Sequence, residues 1–255
     1  MIASTIGHGP DLALIHGWGL GSASWEPVLG ALAQRCRVHL IDLPGYGATP
    51  ASDTDFTQTA QALIDALPDG ISLCGWSLGG MLALQAALLA PQKVGRLILV
   101  GSTPSFMQRD HWPAAQPPEL LDNFSNAIAT DPAKTLQRFI ALLNQGDTQA
   151  RALGRTMLKQ AQSAPLPGTA TLLAGLGWLR DVDLRIQIAQ ITTPALLIHG
   201  ACDPLMPLAA GQWLNGRLPH ARLEIFPECA HAPFLADPAH FAALVGDLCH
   251  ADAAR

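Results

Sequence analysis

The sequence predicts an α/β fold: a mostly parallel central sheet with helices on both faces, interrupted by an inserted helical segment. Three observations predict it. Short apolar runs bounded by turn residues alternate with helical patterns before residue 105. The same alternation resumes after residue 190. Between the two stretches strand-like runs vanish, and helical patterns broken by proline and glycine take over. Short, wholly apolar strands alternating with helices are the pattern of parallel strands covered on both sides.

In chain order, apolar runs at 12–16, 38–43, 71–74 and 97–100 read as strands. Helical patterns at 25–33, 57–67 and 78–89 fall between them. The inserted segment offers helices near 118–129, 132–144, 148–162 and 169–178, punctuated by Pro117, Pro118, Pro132, Gly146, Pro165, Pro167 and Gly168. Two further strand-like runs, 195–199 and 223–226, follow it. The expected organisation is a core of 1–108 and 189–255 with a lid of 109–188. No internal repeat is evident, and the only biased tract is a short Ala-rich stretch at 251–255.

Composition narrows the class. The chain has 255 residues, 49% apolar and only 14% charged, enough to bury one large core and a lid. A net charge of −5 gives no reason to expect nucleic-acid binding. The five cysteines (Cys36, Cys74, Cys202, Cys229, Cys249) are scattered, odd in number and without a C-x-x-C pair. They read as reduced thiols, neither a disulfide frame nor a zinc site. No basic n-region precedes an apolar stretch, and the richest apolar run, 78–90, is too short to span a bilayer. A cytoplasmic protein with no membrane association is expected, as a monomer.

The most informative run is Leu73-Cys74-Gly75-Trp76-Ser77-Leu78-Gly79-Gly80. It reads as a strand, a Gly-x-Ser-x-Gly turn and a helix. Glycines flank the serine because the turn is sharp and side chains there would strike the strand or helix. The turn lifts the Ser77 hydroxyl clear of the sheet beside a helix N-terminus, which is the nucleophile-elbow pattern of a serine hydrolase. The structural alternative is a Gly-rich turn with a surface serine.

A serine hydroxyl needs a neighbouring base that is itself oriented by an acid. After Ser77 the run 195–199 ends at His199-Gly200, with Asp203-Pro204 on the next turn. The run 223–226 is followed by Pro-Glu-Cys-Ala-His231. Both Asp203 and His231 then fall at strand C-terminal ends, the rim where chemistry is expected in an open parallel sheet. Asp203 could instead cap the turn at Pro204, and His231 could be a solvated loop residue. His39, His240, His8 and His250 are weaker bases, placed inside a strand, on a terminal helix or near chain ends.

The first strand leads into His16-Gly17-Trp18-Gly19. Flanking glycines let the Trp18 backbone N–H turn toward the site. The Leu78 N–H, directly after the nucleophile, would be the second oxyanion donor. His16 fits a loop-bracing role. No carboxylates cluster with His16 and His199, so no metal site is expected, and this chemistry needs no cofactor.

His16-Gly17-Trp18-Gly19, Asp42-Leu43-Pro44-Gly45-Tyr46-Gly47, Gly75-Trp76-Ser77-Leu78-Gly79-Gly80, Asp203 and His231-Ala232-Pro233-Phe234 together resemble the α/β-hydrolase superfamily along almost the whole chain. More narrowly, 16–20, 75–80, Arg138-Phe139-x-Ala141-Leu142 and 230–234 resemble the pimeloyl-acyl-carrier-protein methyl ester esterases of biotin synthesis. That resemblance implies an α/β-hydrolase fold, a Ser77–Asp203–His231 triad and an oxyanion hole at Trp18 and Leu78. It implies that Phe139 lines an acyl site, with Ile140, Ala141, Leu142 and Leu143 beside it. Its substrate would be a methyl ester on an acyl carrier protein. A general short-chain carboxylesterase and a C–C bond hydrolase share these motifs and stay open, as does a ligand receptor built on the same fold. Haloalkane dehalogenases and epoxide hydrolases fit less well, because they carry aspartate where this chain has Ser77.

The resemblance also gives meaning to a charge pattern. From 134 to 159 there are five basic residues (Lys134, Arg138, Arg151, Arg155, Lys159) against one acid, Asp147, a local net of +4. Lys134 and Arg138 are i,i+4 partners, as are Arg151 and Arg155. A solvated pair of helix faces explains this, and so does a docking surface for an acidic carrier protein made by Lys134, Arg138, Arg151 and Arg155. The family pattern tends to arginine at Lys134, and lysine there keeps the charge but not the planar bidentate grip.

Overall fold

The computed structural model describes residues 1–251; of the Ala-rich stretch, 252–255 lie outside them. Seven strands form one sheet: β1 (Ile2–Ile6), β2 (Asp11–Ile15), β3 (Arg37–Ile41), β4 (Ile71–Trp76), β5 (Val94–Val100), β6 (Ala195–Gly200) and β7 (Ala221–Phe226). Their spatial order is β1-β3-β2-β4-β5-β6-β7. Every neighbouring pair is parallel except β1 with β3. The strand missing from the sequence reading is β1. It is an edge strand whose Ser4, Thr5 and Ile6 are exposed, so it carries no apolar run. By contrast all six residues of β4 and of β6 are buried, which is why those strands stand out as unbroken apolar stretches.

The helices of the sheet domain are α1 (Glu26–Ala33), α2 (Phe56–Asp65) and α3 (Leu78–Leu89). Between β5 and β6 come α4 (Pro118–Thr130), α5 (Pro132–Leu143), α6 (Ala150–Gln162) and α7 (Thr169–Asp181). After β6 come α8 (Leu208–Asn215), α9 (Pro233–Ala236) and α10 (Pro238–His250). The starts of α4, α5 and α7 fall at the expected prolines and glycine; Asp131 also caps α5 by accepting from Lys134 N at 3.0 Å. α3 is buried around most of its circumference, as a helix whose one polar side chain is Gln85 must be.

The strand order places the site. From β2 the chain steps outward to β3, and from β3 it steps back across β2 to β4. Right-handed crossovers then put α1 on one face of the sheet and α2, α3 and α8 on the other. The neighbouring strands β2 and β4 therefore send their chains to opposite faces, which opens a crevice beyond their C-terminal ends. The loops at that crevice are 16–21 and 77–79.

Candidate active site

Ser77 leaves β4 with φ 57° and ψ −120°, a left-handed conformation rare for a residue with a Cβ. The surroundings enforce it. Its N–H donates to Val100 O at 2.9 Å, and its carbonyl accepts from Ser102 Oγ at 2.9 Å. The flanking glycines are required for approach rather than for φ. A Cβ on Gly75 would overlap the Gly79 carbonyl, and one on Gly79 would overlap the Ile15 carbonyl. Helix α3 can thus press directly on the ends of β2 and β4, and the strain at Ser77 is held by that packing.

His231 lies in the loop after β7 with no exposed surface. Its Nδ1 is 2.7 Å from Asp203 Oδ2. The carboxylate oxygen is the acceptor and Nδ1–H the donor, which leaves Nε2 as the other ring nitrogen. That Nε2 is buried and has no hydrogen-bond partner among the described residues. The other oxygen, Asp203 Oδ1, accepts from Leu205 N and Met206 N, each at 2.9 Å. Asp203 therefore does both things the sequence allowed: it caps its own turn and it orients a histidine. Gly101 makes room for the pair, since a Cβ there would sit 3.2 Å from both Asp203 Oδ2 and His231 Nδ1.

The indole of Trp76, directly before Ser77, donates to His231 O at 2.8 Å, tying the histidine loop to the serine turn. Ser77 is 6% exposed, and Asp203 and His231 are also buried. On the other side of the crevice a Cβ on Gly17 would lie 3.2 Å from Ser77 Cβ, which brings the 16–19 loop against the serine. Leu78 N is the first amide of α3 and has no intrahelical acceptor by construction.

His16 braces that loop as expected. Nδ1 is 2.7 Å from Gly17 O and Nε2 accepts from Leu43 N at 3.1 Å, which fixes a neutral ring. Burial pulls its pKa down to about 4. Tyr46 packs against His16 with ring centroids 4.5 Å apart and the rings tilted by 56°, and it accepts from Gly19 N at 2.9 Å. Burial of that phenol pushes its pKa up to about 12. His199, which burial also keeps below the usual imidazole range, is 2.6 Å from Met206 O through Nε2 and stiffens the Asp203 turn. Among the described residues no group of three or more His, Cys, Asp or Glu is placed to hold a metal ion.

The inserted helices close over the crevice. Trp18 packs edge-on to Phe139 at 4.9 Å and to Phe124 at 6.0 Å. Of the residues expected at an acyl site, Phe139, Ile140 and Leu143 are buried, Leu142 is half-buried and Ala141 is exposed. Ile140 lines a cavity of about 300 Å³ with Gly19, Tyr46 and Leu136, next to the Trp18 loop. Leu142 lines a second groove with Phe124 and Arg138. Lys134, Arg138, Arg151 and Arg155 are all exposed on α5 and α6, and none makes an ion pair among the described residues. Asp147, the one acid in that stretch, is turned inward and buried. Sequence reading missed three supports: Ser102 beneath Ser77, the Trp76 indole on the histidine loop, and Asp147. Ser102 and Asp147 belong to no motif, and Trp76, though inside the serine motif, shows nothing in sequence of the carbonyl its indole reaches; only the fold brings these contacts together.

A family model described as the alpha/beta hydrolase fold matches residues 12–238. The chain is an α/β hydrolase. It is 44% identical over 239 residues to the pimeloyl-[acyl-carrier protein] methyl ester esterase of Nitrosomonas europaea, covering 93% of this chain and 94% of that one. It is 42% identical to the protein of the same name from Aromatoleum aromaticum, covering 94% and 98%. Among solved structures this hydrolase superposes on an esterase from Exiguobacterium antarcticum with a TM-score of 0.89 at 26% identity, covering 97% and 94%.

Proposed function

We propose that this hydrolase is a serine carboxylesterase that cleaves the methyl ester of pimeloyl-acyl-carrier protein, giving free pimeloyl-acyl-carrier protein and methanol for biotin synthesis. The chemistry is carried by one observation: a buried His231 is fixed on Asp203 through Nδ1 and keeps Nε2 without a partner, beside the strained serine turn. The substrate rests on similarity over almost the full chain to proteins bearing that name.

In this reading Nε2 of His231 takes the Ser77 proton as Oγ attacks the ester carbonyl. The N–H groups of Trp18 and Leu78 hold the oxyanion of the tetrahedral intermediate. The imidazolium returns its proton to the departing methoxide, so methanol leaves and an acyl-enzyme remains. Water then repeats the relay, its proton going to His231 and its oxygen to the acyl carbon, and Ser77 is regenerated. No cofactor or metal takes part. Segment 109–188 acts as a lid over core parts 1–108 and 189–255, with Phe139, Ile140, Ala141, Leu142 and Leu143 along the acyl path. Lys134, Arg138, Arg151 and Arg155 face the acidic carrier. The enzyme works as a cytoplasmic monomer, and no helix of the described residues is long and apolar enough to cross a membrane.

The test is complementation of a biotin auxotroph that lacks its own esterase, with Ser77→Ala as control. Growth with the wild-type chain and none with the variant is the expected result. No growth, combined with turnover of p-nitrophenyl butyrate, would leave a small-ester hydrolase with another substrate.

A further inference from the structure

Asp147 is the acid that the basic stretch 134–159 does not use on its surface. It sits in the turn between α5 and α6 and is 8% exposed. Its Oδ1 accepts from Gln149 N at 2.7 Å, at the entry to α6. Its Oδ2 accepts from Ala230 N at 2.9 Å, the amide directly before His231. A buried carboxylate satisfied by two backbone N–H groups from distant parts of the chain is a stiff link between them.

The rest of the turn makes the same junction. His231 N donates to Leu143 O at 3.2 Å, and Thr148 N donates to Glu228 O at 3.2 Å. The side chain of Gln149 donates to Ala236 O at 3.2 Å. Gly146, at φ 93°, passes so close to Cys202 that a Cβ would lie 3.2 Å from its carbonyl, one residue before Asp203. Opposite this junction the histidine loop has the Trp76 indole on His231 O. The backbone around His231 is thus held from the elbow strand on one side and from the α5–α6 turn on the other. Among the described residues, the only charged group in that second hold is Asp147.

We propose that Asp147 is a positioning residue: it fixes the loop that presents His231 by anchoring Ala230 to the α5–α6 turn. The proposal rests on the reading of Ser77, His231 and Asp203 as the reacting set. Removing the carboxylate leaves the buried Ala230 N–H unpaired and lets the loop shift. Proton transfer tolerates little displacement, and about 1 Å of misplacement costs on the order of 100-fold in rate. Binding of a small ester, which does not touch Asp147, is unaffected.

The experiment uses the full chain with p-nitrophenyl butyrate, which needs no carrier docking. Asp147→Ala is expected to lower kcat by roughly 10- to 100-fold with KM within about twofold. Asp147→Asn places an NH₂ group against one of the two N–H donors whichever way it turns, so a loss of roughly 3- to 10-fold is expected. That second variant keeps the side-chain volume and serves if the first fails to fold. Leu153→Ala, a buried truncation on α6 that removes no hydrogen bond to the histidine loop, controls for loss of lid stability. An unchanged kcat in the folded Asp147 variants overturns the proposal. So does an equal kcat loss in Leu153→Ala at a matched fall in Tm. Ser77→Ala, measured alongside, separates the two readings. If it keeps turnover, the reacting set itself is wrong; if it is dead while the Asp147 variants are not, only the positioning role falls.

Discussion

The indole N–H of Trp18 donates to the carbonyl of Leu172 at 2.8 Å. One residue therefore serves two parts of the molecule. Its backbone lies in the loop beyond β2, where the oxyanion donor is proposed, and its side chain is bonded to α7. Gly175, one turn further along α7, has no side chain because a Cβ would lie 2.6 Å from the Trp18 ring. The inserted helices are thereby seated on the loop proposed to hold the oxyanion, and Phe139 and Phe124 complete the apolar wall around the same ring.

That wall predicts a chain-length effect. Phe139→Ala removes the face against which Trp18 packs, along the proposed acyl path. KM for medium-chain methyl esters should rise several-fold or more, while KM for methyl acetate, too short to reach the lid, changes little. Steady-state kinetics on the two substrates decide it, and equal effects would mean that Phe139 does not contact the chain.

The serine turn predicts opposite changes in activity and stability. Ser77→Ala and His231→Ala should each lower kcat by on the order of 10³-fold or more, because such groups act as a unit. Ser77→Gly should be equally inactive yet more stable. A non-glycine residue at φ 57° costs of order 1–3 kcal/mol, and glycine relieves it, less its own greater freedom when unfolded. A rise of about 1 kcal/mol in chemical denaturation is expected. A fall would show that the turn is unstrained.

Acid should weaken the fold through His16. Its pKa is about 4 when folded, against 6.5 for the free side chain, so the unfolded chain binds the proton first. The stability this provides is fully present above pH 6.5 and is lost as pH falls toward 4. His199, also lowered by burial, acts in the same direction. Between pH 7 and pH 5 the His16 contribution should fall by about 2 kcal/mol. Urea denaturation at the two pH values measures it, and His16→Gln, which does not titrate, should show a shallower fall. An identical pH dependence in that variant would refute the assignment.

Much of this architecture was legible because its causes are local. A buried parallel strand must be apolar on both faces, so β2, β4, β5 and β6 announce themselves, whereas β1 has Ser4 and Thr5 in its five residues, with Ser4, Thr5 and Ile6 exposed, and does not. The serine turn is legible because only glycine fits at 75 and 79, and the Asp203 and His231 loops because they follow strand ends. The supports are not legible in the same way. Ser102, the Trp76 indole and Asp147 act on backbone atoms up to 155 residues away. A bond to a carbonyl or an amide constrains no partner side chain, so the partner's sequence carries no trace of it.

The inward turn of Asp147 sharpens the docking prediction. With that carboxylate buried, the exposed charge between 134 and 159 comes from the five basic residues alone. If Arg138, Arg151 and Arg155 face an acidic carrier, changing all three to glutamate should selectively impair hydrolysis of the carrier-linked ester. Exposed charge contacts are worth ~0.5–1 kcal/mol each. Three together reduce kcat/KM on that substrate by roughly 10- to 200-fold, and repulsion adds to the loss. Hydrolysis of p-nitrophenyl butyrate should stay near the wild-type rate, since a small neutral ester needs no docking. Raising salt from about 0.05 to 0.5 M should weaken the wild-type reaction with the same selectivity, because it shortens the screening length at the surface. Parallel losses on both substrates would instead indicate a damaged lid. Absence of any loss would make these helices a solvated face and remove the carrier from the proposed reaction.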